Sequence, residues 1–530
     1  MGIINSIMIF VRIFIVGLMI TLLGCSSSIS DSQVLTLRLG AEPSMLNPIL
    51  STDSPSSSVN GYVFSGLLKV TPELTLEPDL AESYTVSADG LVYLFTLKQT
   101  IKWHDGEEFT AHDVKFTFDT ILNPKTNTVR RSDYIIDGKA MEFKVLDEYT
   151  LQIRMHKPFA PLLNRLTMGI IPQHIYEITD INTAKENQNP IGTGPYKFKQ
   201  WETSQFVLLE ANEEYYEEAP KIKKIIMKII PDNNTALISF EKEEILSSGI
   251  PGKDFKRIAD NDLFNTHRYY DLAYTYLGLN CKHPLFSNKN VRKALAMSID
   301  KRSIVDGILL GYGKPAHIPT SPEMWTYPKK PFFYDYNQKK ALELLQEEGF
   351  VFNTNDKLLT KDDNPVTFKI ITNKGNKDRE LAATLIQKNL KEIGIEVTIQ
   401  LMEWSSFIAI VNEQVDPKKF DAVILGWSLG LDPDAYSLWH SKEYPKGFNF
   451  VGYDNSDVDD FLVMGRNELD REERKLIYKE MYEQIAKDVP YIFLYYPESL
   501  VGLNKIIQGV SPAGPAGLLN PIENIYLIEK

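Results

Sequence analysis

Residues 420–440, FDAVILGWSLGLDPDAYSLWH, join an apolar run to a polar loop that contains glycines and aspartates. The first part, residues 422–425, consists of β-branched and apolar residues and predicts a buried strand. We expect the strand to end at Gly426-Trp427 and a loop to follow. Proteins commonly place ligand-binding groups on a loop that a buried strand positions, so we expect this loop to meet a ligand.

The composition describes a large, acidic, globular protein. The chain has 530 residues, 43% of them hydrophobic, and a formal net charge of −13. This length is ample for a large core and for more than one domain. An acidic surface argues against nucleic-acid binding, and it mildly favours cationic or zwitterionic small ligands.

The N-terminus has the features of an export signal. Arg12 precedes an apolar run at residues 13–23, and Leu22-Leu23-Gly24-Cys25 resembles a bacterial lipobox. The run is short for a membrane span, so an uncleaved anchor is the weaker alternative. We predict a signal peptide at residues 1–24, lipid modification of Cys25 and a flexible tether at residues 25–32. The only other cysteine is Cys281, so a lipidated Cys25 leaves no intramolecular disulfide.

The rest of the chain predicts two differently built lobes. A strand at residues 34–39, a polar loop at 51–58 and an Asp89-Gly90 hairpin indicate antiparallel pairing in the first half. From residue 286 to 490 the pattern alternates helices and strands. Strand 366–372, helix 379–393 and strand 395–401 form a βαβ unit, which implies parallel pairing.

Ordered motifs along the mature chain give it a family resemblance. The chain resembles the family 5 extracellular solute-binding proteins, the peptide- and nickel-binding group that serves ABC importers. Within the family it is most similar to oligopeptide-binding lipoproteins of Gram-positive bacteria. The matching motifs are Glu42-Pro43-Ser44-Met45-Leu46-Asn47-Pro48, Pro78-Asp79-Leu80-Ala81-Glu82-Ser83-Tyr84, Lys102-Trp103-His104-Asp105-Gly106, Gly192-Thr193-Gly194-Pro195-Tyr196, Val291-Arg292-Lys293-Ala294, Gly394-Ile395-Glu396-Val397 and Gly426-Trp427.

The resemblance implies an α/β fold of the periplasmic-binding-protein type II class, in its large cluster with an extra domain. The ligand would lie in a cleft between two lobes that close by hinge motion. The implied division is domain I at residues 33–58, 191–276 and 489–530, domain II at 59–190 and domain III at 277–488. The implied function is the lipid-anchored binding component of an ABC transporter, on the extracellular or periplasmic face of the cell membrane. It would be a monomer that delivers oligopeptides to a membrane permease.

The Gly426-Trp427-Ser428-Leu429-Gly430 sequence also matches the G-x-S-x-G elbow of serine hydrolases. That fold needs an acid and then a histidine from separate strand ends. The only histidine downstream of Ser428 is His440, twelve residues away, which leaves no room for the helix of the elbow. A hydrolase is therefore a remote alternative, and we predict a binding protein without enzymatic activity.

The binding interpretation uses the main chain and one aromatic residue. A peptide can be held by strand-like pairing of its main chain, which is indifferent to side chains. Trp427 would supply an apolar wall and an indole donor. Similarity to the family adds Trp404 and a polar loop to the lining of the cleft. The full set of predicted ligand-binding residues is Trp427, Ser428, Leu429, Gly430, Leu431, Asp432, Trp404, Asp53, Ser54, Pro55 and Ser56.

One departure from the family concerns charge. Enteric dipeptide and oligopeptide binders carry an aspartate shortly after the Gly-Trp pair, and it binds the α-amino group of the peptide. In this chain the corresponding place holds no acid, since Ser428-Leu429-Gly430-Leu431 follows Trp427. Asp432 could substitute, or it could form a turn with Pro433. Our hypothesis is a longer peptide, held mostly by main-chain contacts, with a less tightly specified N-terminus.

Other solutes remain alternatives to a peptide. A nickel or other metal chelate, haem, a sugar or an opine would each suit a transporter of this class. His104 and His112 have no third ligand at a recognisable spacing, so we predict no resident metal site and no cofactor.

Overall fold

The computed structural model describes residues 33–529. The predicted signal peptide, Cys25 and the tether lie outside these residues. Within the described range, no helix is long and apolar enough to cross a membrane.

The first sheet confirms the strand predicted at the start of the mature chain. Val34–Leu39 pairs in parallel with Lys224–Ile229, and its alternate leucines are buried. Two further strands extend the sheet in antiparallel order. The four strands, in spatial order, are Val34–Leu39, Lys224–Ile229, Phe206–Ala211 and Tyr196–Glu202.

A second, antiparallel sheet contains the predicted hairpin. Gly90 has φ +69°, as the turn between Ala81–Val86 and Val92–Leu97 requires. Thr150–Arg154 and Glu142–Asp147 complete the sheet. The adjacent helix, Ala111–Leu122, begins at Thr110, whose side chain forms a capping box with Asp113.

The third sheet places the opening segment at its centre. Ala422–Ser428 pairs antiparallel with Ala273–Leu279 and in parallel with Thr367–Asn373. The predicted βαβ unit is confirmed, since Thr367–Asn373 and Glu396–Met402 run parallel on either side of the helix Lys377–Glu392 in the chain. Both faces of the central strand are covered, which explains why residues 422–425 are uniformly apolar.

One long strand connects the two halves of the molecule. Tyr491–Asn504 pairs with Ala273–Leu279 near its start and with Phe264–Tyr270 and Ser247–Gly249 further along. Gly313–Pro315 also pairs with it. The aromatic run at 491–496 predicted only the first part of this strand, because Pro497, Glu498 and Ser499 interrupt the apolar pattern before Leu500.

The hydrophobic cores define two lobes. The first lobe packs around residues drawn from 35–246 and 503–527, and the second lobe around residues from 274–496. The strand Tyr491–Asn504 passes from the second lobe to the first, since residues 491–496 belong to the cores of the second lobe and Leu503 to that of the first. The two lobes agree with the α/β, two-lobed architecture that the sequence predicts.

Two local predictions are wrong. Residues 54–63 form a helix, Ser54–Val63, where the serine-rich composition predicted a loop. The Asp53 side chain caps that helix and Pro55 fits its first turn, so the end signals outweigh the weak helix propensity of serine. The central strand also continues to Ser428 and does not end at Gly426, because antiparallel pairing with Ala273 and Tyr274 holds it extended.

The remaining helices and strands complete the two lobes. The other helices are Leu162–Arg165, Gln173–Tyr176, Asn233–Glu241, Gly252–Ala259, Lys289–Ser298, Lys301–Gly307, Gln338–Glu347, Trp404–Asn412, Tyr436–Trp439, Ser456–Asn467 and Arg471–Asp488. Short strand pairs join Leu68–Val70 to Leu76–Pro78, Ile135–Ile136 to Lys139–Ala140 and Ile507–Gln508 to Tyr526–Leu527, and a three-stranded sheet contains Val351–Asn353, Leu358–Lys361 and Asn364–Pro365.

Candidate ligand-binding cleft

A cavity of about 650 Å³ lies beside the loop that follows the central strand. Its walls come from both lobes and from the C-terminal segment at 515–520. All six residues predicted at this loop line it, namely Trp427, Ser428, Leu429, Gly430, Leu431 and Asp432. The structure therefore brings this part of the predicted site together.

Trp427 forms an apolar wall of the cavity. Its ring stacks on Phe450 at 5.4 Å and meets the edge of Phe448 at 5.3 Å. These contacts fix the orientation of the indole, and its nitrogen is buried. Trp427 therefore lines the cavity with ring surface, and the donor role of its indole toward a ligand stays a prediction.

The main chain after Trp427 is exposed and firmly held. Ser428 and Gly430 are exposed, while the Leu429 N–H donates to the Leu272 carbonyl at 2.6 Å. The parallel pairing with Thr367–Asn373 ends at Ile371 opposite Val423. In the described chain, no strand pairs with residues 425–428 on that side, and the last two of them, Trp427 and Ser428, line the cavity where an extended ligand could pair with them.

Asp432 lines the cavity, and its carboxylate is engaged in an ion pair within the protein. Both of its carboxylate oxygens accept hydrogen bonds from the Arg474 guanidinium, at 2.9 Å each. Oδ1 also accepts the backbone N–H of Asp434. A bidentate pair of this kind is strong and directional. Asp432 therefore shapes the turn at Pro433, which was the other interpretation of the Asp-Pro sequence.

A buried ion-pair network joins the two lobes next to this cavity. Asp434, from the second lobe, accepts hydrogen bonds from Arg466 at 3.0 Å and from Arg165 of the first lobe at 2.7 Å. Asp133 of the first lobe lies 3.3 Å from Arg165 and 3.5 Å from Arg466. The Ala160 N–H also donates to the Arg466 carbonyl across the same boundary. Two carboxylates and two guanidinium groups thus form a charge-balanced contact between the lobes.

Three of the other five predicted ligand-binding residues, Ser54, Pro55 and Trp404, line a neighbouring cavity of about 620 Å³. Asp53 and Ser56 do not line it, because Asp53 accepts hydrogen bonds from the Ser56 backbone N–H and hydroxyl at the start of the helix. Both are buried in a helix cap, so the structure does not bring them to this cavity with Ser54, Pro55 and Trp404.

Several lining residues could not be identified from the sequence. A third cavity of about 480 Å³ borders Ala516–Asn520, and parts of the same C-terminal segment border the other two cavities. Arg130, Arg165 and Asp271 also line the cavity at Trp427. The Pro-Ala-Gly composition of 515–517 is a loop signal, but no local pattern in the sequence indicates where in space these residues lie.

Glu443 lies near the contact between the lobes and is expected to make the stability of the protein depend on pH. Burial, with a contribution from Asp133, raises the pKa of Glu443 to about 7 from an ordinary value of 4.5. The folded protein therefore binds more protons than the unfolded chain between these two values, and stability falls as pH rises through that window. We expect the Glu443→Gln variant to gain thermal stability relative to the wild type between pH 5 and pH 7.5, measured as the difference in Tm. Glu218→Gln, at an exposed position, serves as the control. Parallel curves of Tm against pH for Glu443→Gln and the wild type would contradict the prediction.

Comparisons with known proteins agree with this architecture. The model of the bacterial extracellular solute-binding proteins, family 5 Middle, matches residues 75–448. The chain is 36% identical over 500 residues to the oligopeptide-binding protein AppA of Bacillus subtilis, covering 92% of this chain and 89% of that protein. The structure of AppA in complex with a nonapeptide superposes with a TM-score of 0.89 at 34% identity, over 94% of this chain and 99% of that one.

A metal-chelate binder has a similar structure. NikZ from Campylobacter jejuni, in complex with Ni(L-His), gives a TM-score of 0.84 at 29% identity and covers 94% of this chain and 99% of its own. The family and these relatives are transport binding proteins and not enzymes, so the G-x-S-x-G match at Ser428 has no catalytic meaning. The chain belongs to the family 5 bacterial extracellular solute-binding proteins and is the solute-binding component of an ABC importer.

Proposed function

We propose that this protein captures oligopeptides in the cleft between its lobes and delivers them to a membrane permease. The observation that carries the proposal is the free edge of residues 425–428 beside the Trp427 cavity. An extended peptide can add its main chain to such an edge, with its side chains entering the cavities on either side. Main-chain pairing would allow many peptide sequences to bind.

The size of the cleft supports a peptide over a compact solute. Small-ligand pockets span about 300–1,000 Å³. Here cavities of about 650, 620 and 480 Å³ adjoin around residues 515–520. A ligand that occupies all of them is elongated. The nonapeptide bound to AppA, the 36% identical relative, is a ligand of that kind.

A nickel chelate is the alternative that the NikZ similarity raises. Among residues 33–529 no group of three or more His, Cys, Asp and Glu side chains could hold a metal ion. A chelate that brings its own ligands would not need such a group. The test must therefore identify what is bound.

Native mass spectrometry of the protein purified without denaturation tests the proposal directly. We expect a population of bound masses that fragment as peptides. Metal analysis on the same sample gives the rival outcome, because nickel at one equivalent with no peptide would contradict oligopeptide binding. Isothermal titration of the emptied protein with synthetic nonapeptides would then measure affinity.

The cellular arrangement and the domain boundaries belong to the same proposal. Lipid on Cys25 would hold the monomeric protein at the extracellular or periplasmic face of the membrane, near its permease. Metabolic labelling with a fatty acid, compared with a Cys25→Ala variant, tests the anchor. The three-domain division is supported by the separate sheets, of which the antiparallel one, from Ala81–Val86 to Thr150–Arg154, lies within residues 59–190.

A further inference from the structure

The carboxylates around the Trp427 cavity differ in whether they have a cationic partner. Asp133, Asp271, Asp432 and Asp434 line it. Asp432 pairs with Arg474, while Asp133 and Asp434 share Arg165 and Arg466. Asp271 is the exception. Within residues 33–529, no lysine, arginine or histidine nitrogen lies within 4.0 Å of its carboxylate.

The position of Asp271 is fixed beside the loop that follows Trp427. It lies between Phe264–Tyr270 and Ala273–Leu279, where the chain passes from one strand to the next. The next residue, Leu272, accepts the Leu429 N–H at 2.6 Å. The Asp271 carbonyl accepts the Ser321 hydroxyl at 2.9 Å, so the backbone is held on both sides. A carboxylate from the connection between two other strands thus lines the same cavity as the loop after Trp427.

The Asp271 carboxylate has neutral hydrogen-bond partners but no cation beside it among residues 33–529. Its Oδ1 accepts the N–H of the adjacent Leu272 at 2.8 Å, the Ser499 side chain is its other partner, and burial raises the pKa of the group. A carboxylate removed from water without a cation is costly, and a ligand cation would offset that cost. Trp427, in the same cavity, presents an aromatic surface that also attracts cations.

We propose that Asp271 binds an ammonium group of the ligand. The acids on the loop after Gly426-Trp427 already have cationic partners, since Asp432 pairs with Arg474 and Asp434 with Arg466 and Arg165. The inference rests on the proposed function, since it assigns a ligand contact within the same cleft. It replaces the hypothesis that the N-terminus of the peptide is loosely specified. The ammonium group comes either from the peptide N-terminus or from a lysine side chain, and the two sources can be separated by acetylation.

The experiment compares three degenerate nonapeptide libraries on the emptied protein. One library has free N-termini and lacks lysine, arginine and histidine, the second is the same library N-acetylated, and the third is N-acetylated with one lysine. For the wild type we expect the free-amine library to bind about 30-fold more tightly than the acetylated one. In Asp271→Asn, which keeps the acceptor for Leu272, we expect the ratio to fall below about 3-fold.

A matched control and the possible outcomes make the test decisive. Asp378→Asn also removes a largely buried carboxylate with no ion-pair partner in the described chain, but Asp378 lines a different cavity, and the ratio should stay at the wild-type value. Preference for the lysine library, lost in Asp271→Asn, would support the side chain as the source. An unchanged ratio in Asp271→Asn, or equal binding of all libraries by the wild type, would overturn the Asp271 assignment alone. No binding of any library would overturn oligopeptide binding as well.

Discussion

Replacing Asp434 by alanine is expected to lower the free energy of unfolding by about 3–5 kcal/mol, because it leaves buried guanidinium groups without their main partner. The Asp434 side chain is 0% exposed and that of Arg466 is 4% exposed. Burial alone would raise the pKa of Asp434, but Arg466 and Arg165 hold it well below its ordinary value. The carboxylate is therefore ionised at neutral pH. Its removal leaves Asp133, at 3.5 Å, as the one carboxylate within 4.0 Å of Arg466 among residues 33–529, together with the hydrogen bond to the Ser132 carbonyl.

Chemical denaturation of the alanine variant and of a surface control measures this effect. Asp119→Ala removes an exposed ion pair with Lys115, for which a loss below about 1 kcal/mol is expected. The Asp434→Asn variant keeps the shape and removes the charge, so it should lose most of the same stability. A loss for Asp434→Ala as small as that of the control would show that water reaches the network and that the pair is not buried in solution.

The same network bears on lobe closure. Arg165 is the partner that reaches Asp434 from the first lobe, whereas Arg466 lies in the second lobe with Asp434. Loss of Arg165 therefore removes a contact between lobes and leaves the contact within the second lobe. A lobe–lobe contact of this kind stabilises the closed arrangement relative to an open one and so contributes to ligand affinity.

Local patterns in the sequence predicted the elements that local physics determines. The buried strand at 422–425, the Asp89-Gly90 hairpin, the Thr110 cap and the βαβ unit around Lys377–Glu392 all depend on spacing over a few residues. The ordered motifs then supplied the arrangement of the lobes. The helix Ser54–Val63 differs from the predicted loop because serines outnumber apolar residues there, while the signals that favour a helix are confined to Asp53 and Pro55 at its start.

The parts of the site that could not be predicted depend on contacts between distant residues. Asp432 meets Arg474 across 42 residues and Asp434 meets Arg165 across 269, so neither pair leaves a local pattern. The sequence alone shows that residues 428–431, directly after Trp427, contain no acid. Finding Asp271 beside that loop required the register of Ala273 opposite Ser428, which only the folded sheet provides.

Trp427→Ala is expected to weaken oligopeptide binding about 30-fold, as the loss of a central aromatic contact commonly costs about 2 kcal/mol. The ring lines the largest cavity of the cleft beside the free strand edge, and its stacking on Phe450 holds it in place before a ligand arrives. Isothermal titration with a free-amine nonapeptide library measures the change.

Two further variants show whether a loss of affinity comes from the missing aromatic surface or from a general loss of packing. Trp427→Phe keeps an aromatic face toward Phe450 and should lose less than about 5-fold in affinity. Trp201→Ala removes a half-buried tryptophan that lies outside the three cleft cavities and is hydrogen-bonded to Glu42, so it should leave affinity within about twofold of the wild type. If a folded Trp427→Ala protein bound the library as tightly as the wild type, the ligand would lie elsewhere in the cleft. The free edge at 425–428 would then lose its part in recognition, since a peptide paired to that edge cannot avoid the indole beside it.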